Sequence, residues 1–398
     1  MSSPCADDRR TRTRWLDCGH SRETDAYGAG AAATRDAIGA REDTALLIVF
    51  CSEAYDLDEL SKGIASEANG TPLIGCSTAG EIATSGPADA SIVVTALGGP
   101  GFSIATGIAT EAMGELRRAA SDAVRESMAG LERREHSVVL LLTDGLGGDQ
   151  MEVIRGAYEV VGAEIPLVGG CAGDDLKMRR TYQLFGDRVV SDAVVAATIS
   201  SDAPIGIGVQ HGWRHVGDPM LVTRSVGNRV DSLDDEAALD VYLRRLNAPT
   251  EVHHDAEAFT RFALTHPLGI TRRSGAEVRF VAEADFETRS LVCIASLPQG
   301  GLAWIMEGDE HSVLAATDGA CEEALAALDG HPPIGMLAFD CIARRGVLGD
   351  EGIQREIAQV GRFAHDAPVA GFYTYGEIAR TTGRQGFHNQ TLVVLALG

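Results

Sequence analysis

Aromatic side chains are scarce in this chain: Phe, Trp and Tyr make up 5% of its 398 residues. A surface that stacks single-stranded bases needs such rings in number, so that class of binding is disfavoured. Positive charge is short as well. Lys and Arg number 34 against 57 Asp and Glu, a formal net charge of −23. An acidic surface repels phosphate backbones, which argues against a nucleic-acid partner. Lysine is nearly missing; Lys62 and Lys177 stand alone among arginines. A high-GC genome and a salt-adapted source both produce that bias. No two of the eight cysteines form a C-x-x-C pair, so a structural zinc site has no support. They lie scattered in apolar segments and read as reduced, buried thiols. Apolar runs such as Ala45 to Cys51 fall far short of a membrane span. The first residues are rich in Arg and Asp and carry no apolar signal stretch. The expectation is a cytoplasmic protein with no membrane segment.

What the chain does have is an internal echo. Pro72-Leu73-Ile74-Gly75-Cys76-Ser77-Thr78-Ala79-Gly80-Glu81, Pro166-Leu167-Val168-Gly169-Gly170-Cys171-Ala172-Gly173-Asp174-Asp175 and Pro368-Val369-Ala370-Gly371-Phe372-Tyr373-Thr374-Tyr375-Gly376-Glu377 share one plan. A proline opens an apolar strand, a glycine follows, and a small-residue turn ends on an acidic residue. A second apolar run comes after each, at Ile92–Leu97, Val194–Ile199 and Leu392–Leu397. Continuous apolar runs bounded by turn signals predict strands buried on both faces. A recurring unit predicts that equivalent turns occupy related places, around one shared cleft.

The pattern predicts an α/β (α+β) fold. Repeated strand–helix–strand–strand units form mixed sheets flanked by helices. Residues 1–14 read as a disordered lead-in, residues 15–228 as one domain and residues 229–398 as a second, tightly packed against it. Helices are predicted near residues 24–40, 56–69, 110–131, 150–162, 234–246 and 310–328. Antiparallel strands are predicted around Val278, Leu291 and Leu302.

These motifs, in this order, resemble the FIST family, with its N-terminal and C-terminal FIST domains. The matching segments are Gly75 to Glu81, Thr143-Asp144-Gly145, Val168 to Asp175, Gly371 to Ile378 and His388-Asn389-Gln390-Thr391-Leu392. Val222-Thr223-Arg224, and Cys341 with Arg344 or Arg345, also fit. The match covers nearly the whole chain. The resemblance implies a non-enzymatic sensory or signal-transduction module that binds a small polar, amino-acid-like ligand and signals through a partner. It also implies an alternative, a haem-binding nitric oxide sensor acting on a histidine kinase. No catalytic residues carry over.

The candidate ligand residues follow from the turns. Gly80 and Gly376 let backbone amides approach a carboxylate, Thr78 and Thr374 offer hydroxyls, and Glu81 and Glu377 can pair with an ammonium group. The same residues equally satisfy plain turn chemistry, with the acid capping nearby amides. Asp174 and Asp175 can hold a cation or an amine, or simply be solvated. Tyr375, Asn389 and Arg345 join the set from the C-terminal motifs. Thr143 to Gly148, between a strand and a helix, can cradle an anion or merely cap the helix. His388 is a candidate ligand contact or axial haem ligand, with His211, His253, His254 and His266 as competitors. Cys341, near Arg344 and Arg345, is either a low-pKa nucleophile or a small buried residue, and an enzymatic reading, a hydrolase or transferase, would use it or an acidic pair.

Overall fold

The computed structural model describes residues 13–272, 275–381 and 386–398. Most of the expected lead-in, residues 1–12, lies outside the described residues. The architecture is mixed α+β. Three six-stranded sheets carry helices on their outer faces, and an eight-stranded antiparallel sheet stands beside them.

The three sheets are built alike. The first runs Trp15–Ser21, Ile92–Gly98, Thr44–Cys51, Leu73–Ser77, Gln183–Phe185, Arg188–Val190. The second runs Phe102–Thr110, Ala193–Ser201, His136–Thr143, Leu167–Cys171, Glu377–Arg380, Phe387–His388. The third runs Ile205–Gln210, Leu392–Leu397, Gly335–Cys341, Val369–Thr374, Glu81–Ala83, Gly86–Ala88. In each, the central pair is parallel and its flanking pairs are antiparallel.

The last two strands of every sheet come from a different unit. The hairpin after the first echo joins the third sheet, that after the third joins the second, and that after the second joins the first. The units are therefore interlocked in a ring with pseudo-threefold symmetry. The eight-stranded sheet is an insertion in the third unit. It lies within residues 214–307, between that unit's first strand and the helix Glu310–Ala326.

The continuous apolar runs are explained by this packing. Leu46, Ile48 and Phe50 point inward to a core shared with Leu140, Leu142, Leu337 and Phe339. Leu47 and Val49, one residue out of step, pack under the helices Ala26–Ile38 and Leu57–Ala68. Both strand faces are dry, so no polar alternation survives. At the centre Phe372 lies 4.6 Å from Phe50 and 5.8 Å from Phe339, ring centroid to centroid. Helix starts are set by local chemistry. Asp25, Asp56 and Asp309 each accept a backbone amide three residues on.

Two elements differ from the sequence expectation. Residues 110–131 were expected as one helix, yet the strand Phe102–Thr110 extends through residue 110 and the helix is Leu116–Ser127. The strand pairs residue for residue along all of Ala193–Ser201, and that ladder outweighs local helix propensity. The helix Ile342–Ala364 was expected only as a helical segment before the third echo, without bounds. Its glycines blur the helical pattern, and at Gly349 the backbone kinks at φ 62°.

Candidate functional site

The echoed turns meet on the pseudo-threefold axis, at the ends of the parallel strands. Six backbone hydrogen bonds tie them in a ring. Tyr373 N donates to Gly80 O (2.8 Å), Cys171 N to Gly376 O (2.8 Å) and Ser77 N to Tyr182 O (2.9 Å). In return Ala79 N, Tyr375 N and Gly173 N donate to Tyr373 O, Cys171 O and Ser77 O (3.0, 3.2 and 3.0 Å).

Each turn is also stapled by a buried side chain. Glu81 accepts Thr78 Oγ1 at 2.5 Å, Ser91 Oγ at 2.6 Å and Ser91 N at 3.1 Å. Glu377 does the same with Thr374 Oγ1 at 2.5 Å, Thr391 Oγ1 at 2.8 Å and Thr391 N at 3.1 Å. The structural counterpart in the second unit is Gln183, whose Oε1 accepts Ala193 N at 3.2 Å. Sheet register fixes this match: Glu81, Glu377 and Gln183 face Phe372, Gly170 and Cys76, the fifth residue of each echo. The sequence echo aligned Asp175 with the two glutamates, but an insertion displaces it. Burial pushes Glu81 up to about 8, against the opposing hydroxyls of Ser91 and Thr78. Burial likewise pushes Glu377 up to about 7, opposed by Thr374 and Thr391.

Asp174 organises the inserted loop. Its carboxylate accepts Met178 N, Arg179 N and Arg180 N at 2.9, 2.6 and 3.0 Å. The Tyr375 hydroxyl, from the third unit, donates to Asp174 Oδ1 and accepts Leu176 N at 2.7 Å. This clamp holds Asp175 and Leu176 in left-handed conformations, φ 53° and 61°.

Over the ring opens a cleft of about 470 Å³. Ala79, Asp89 and Ser52 come from the first unit, Asp175 and Leu176 from the second, and Ile342, Arg345 and Asp350 from the third; Leu264 of the insertion closes one side. Two smaller clefts, of about 210 and 340 Å³, continue from it through Ala54, Ala90 and Tyr55. Arg345 spans its floor. It grips Asp89 through two hydrogen bonds of 2.6 and 2.8 Å and lies 5.1 Å over the Tyr373 ring. The guanidinium lowers the Asp89 carboxyl, while partial burial raises that of Asp175.

Of the residues singled out in the sequence, Asp175 and Arg345 line this cleft, and Gly80 sits just beneath the Arg345–Asp89 pair. Thr78, Glu81, Thr374, Gly376 and Glu377 lie in the ring below, and Asp174 and Tyr375 form the clamp. Asn389 is 1% exposed, and neither atom of its carboxamide has a hydrogen-bond partner. Of the Thr143–Gly148 motif, Asp144 accepts Leu146 N and Thr181 Oγ1 within the protein.

Sequence reasoning missed Asp89, Ser52, Leu264, Ile342 and Asp350. Asp89 was findable. It stands two residues before Ser91 as Asn389 stands two before Thr391, and Ala90 and Gln390 between them share left-handed backbones, φ 50° and 56°. Nothing local marks Leu264 or Asp350.

The competing chemistries have their own places. Cys341 is buried, and burial together with Glu377 holds its thiol well above the ordinary value, in the protonated form. Neither neighbouring arginine serves it. Arg344 is fully buried between Asp340 (2.7 Å) and Glu356, and Arg345 holds Asp89. His388 Nε2 pairs with Ala379 O at 2.9 Å, and burial lowers its pKa. His266 stacks on Phe262 at 4.2 Å. Among the described residues no histidine lines any of the three clefts, so the residues there do not offer an axial ligand to haem. Among the described residues no group of His, Cys, Asp and Glu is arranged to hold a metal.

Comparison with known proteins settles the family. The FIST N domain model matches residues 45–236 and the FIST C domain model residues 238–380, most of the chain. The chain belongs to the FIST family. FIST domains are generally sensory and signal-transduction domains. A curated relative, the uncharacterized protein MJ1623 of Methanocaldococcus jannaschii, is 28% identical over 161 residues, 38% of this chain. The match spans 31% of that relative's length. Among solved structures, a cyanuric acid hydrolase from A. caulinodans aligns at TM-score 0.29 and 13% identity over 48% of this chain and 71% of that one. PurL of T. maritima with ATP aligns at TM-score 0.22 and 10% identity over 97% of this chain and 71% of that one. Scores this low carry no argument about fold or function. Among the described residues no helix is long and apolar enough to cross a membrane.

Proposed function

We propose that the chain is a non-enzymatic sensory module whose cleft on the pseudo-threefold axis takes a small polar, amino-acid-like ligand. The observation that carries this reading is the convergence of all three units and the insertion on one cleft of about 470 Å³ with charged walls. A pocket of this size with few polar groups in an apolar lining suits a small metabolite. A ligand seated there touches three interlocked units and the insertion at once, so binding favours the conformation in which they close together. The output passes to a partner protein. Ile342, Arg345 and Asp350 lie on one helix, and Arg344 beside them reaches Thr317 and Val313 of the neighbouring helix. A shift at the cleft is thereby transmitted to an outer helical layer. Isothermal titration calorimetry of the folded full chain against amino acids and small polar metabolites tests the reading. Saturable binding of a panel member that weakens in Asp175→Asn is expected. A folded protein that binds none of the panel refutes it.

A further inference from the structure

We infer that the cleft selects a cationic amine without a carboxylate, and that the Arg345–Asp89 pair is what turns zwitterions and anions away. The inference rests on the cleft being the ligand site, as proposed above, and narrows the amino-acid-like class to the amines left when an amino acid loses its carboxylate. Among the described residues the cleft is lined by three carboxylates, Asp89, Asp175 and Asp350, and one cation, Arg345. That cation is already engaged. Asp89 takes two of its N–H groups in fork-to-fork geometry at 2.6 and 2.8 Å, and the ring of Tyr373 covers a face of the guanidinium. An incoming carboxylate must therefore displace Asp89 and leave it unpaired beside two other carboxylates.

An ammonium group meets no such obstacle. Among the described residues Asp175 has no guanidinium partner, and its carboxylate accepts the Ser52 hydroxyl at 3.5 Å. The nearby Lys177 is engaged by Glu53. Partial burial raises the Asp175 carboxyl, so a cation brought alongside relieves the desolvation that burial imposes. Asp350 stands across the cleft on the kinked helix. Leu176, Leu264, Ile342, Ala54 and Ala79 supply the apolar wall for the rest of the ligand. The fit is to an ammonium head on a short apolar body.

Three compounds with one apolar body separate the possibilities: isoamylamine, leucine and isocaproate, each titrated calorimetrically into the folded full chain. The amine is expected to bind about tenfold or more tighter than leucine, with isocaproate weakest. Asp175→Asn is expected to weaken the amine by about tenfold. Asp89→Asn frees Arg345, so it is expected to raise the affinity for leucine and isocaproate and lower that for the amine. Asp89 is 61% exposed in its side chain, so this change leaves the core intact. Leucine or isocaproate binding the unaltered protein more tightly than the amine overturns this inference and leaves the ligand cleft standing. An amine-to-leucine affinity ratio that does not fall in Asp89→Asn overturns it as well. Binding of none of the three to folded protein removes the cleft reading and this inference together.

Discussion

Gly80 is where fold and cleft meet, and its replacement by alanine tests both. Its φ is +117°, a region that residues with a Cβ rarely occupy. A Cβ built there lies 2.7 Å from Arg345 Nη1, 3.0 Å from Asp89 Oδ1 and 3.1 Å from Tyr373 Cδ2. The backbone strain alone is worth about 1–3 kcal/mol. Displacing the Arg345–Asp89 pair adds about 0.2–1 kcal/mol, because the pair is partly exposed. Loss of the guanidinium from the Tyr373 face adds about 0.5–1 kcal/mol. Gly80→Ala is therefore expected to destabilise by about 2–5 kcal/mol, from the sum of these contributions.

Gly70 supplies the control. Its φ is +77°, but a Cβ there has nothing within 4 Å, so Gly70→Ala carries backbone strain without a clash. It is expected to destabilise by about 1 kcal/mol. Urea unfolding of both variants measures the difference. In an Arg345→Ala background the closest contact is gone, and Gly80→Ala should then cost about 1 kcal/mol less, a coupling that a double-mutant cycle resolves. If Gly80→Ala proves no more damaging than Gly70→Ala, or shows no coupling to Arg345, the described geometry of the cleft floor is wrong.

Two further outcomes are expected. Glu81 and Glu377 have folded pKa values of about 8 and about 7, raised from an ordinary 4.5. Their contribution to stability is therefore complete below about pH 4.5 and is lost as pH rises through 7 for Glu377 and 8 for Glu81. Thermal midpoints should fall from pH 5 to pH 8, and Glu81→Gln or Glu377→Gln should flatten that slope, by roughly 1.4 kcal/mol per unit of raised pKa removed. Gln183 at the equivalent place in the second unit shows that the amide fits. Arg344→Met strands two buried carboxylates, Asp340 and Glu356, and is expected to destabilise by about 3–5 kcal/mol in denaturant unfolding; changing Asp340 and Glu356 to leucine in the same chain should recover most of that loss.

Much of the fold was legible because its signals are local. The proline, strand and small turn of each echo depend on neighbours within a few residues, as do the Asp25, Asp56 and Asp309 caps. The staples at Thr78–Glu81 and Thr374–Glu377 were legible as residues but not as roles, since turn chemistry and ligand chemistry use the same groups. Gln183 was hidden because the insertion between Cys171 and Gln183 shifts the register of the echo. The repeat implied a helix before the third echo, but the bounds of Ile342–Ala364 were hidden by its glycines, and its burial against the third sheet supplies what its propensity lacks.

The sequence by itself determined the repeated unit, the two-faced burial of its strands and the family. Those follow from the order of apolar, small and turn-forming residues along short stretches of chain. Which sheet each hairpin joins was decided only in three dimensions, because the paired edges belong to different units, brought together around a core that includes Phe50, Phe339 and Phe372. The cleft was decided there too. Arg345 and Asp89 stand 256 positions apart, and no local pattern brings a guanidinium to a carboxylate across that distance. Only the interlocking of three units does so.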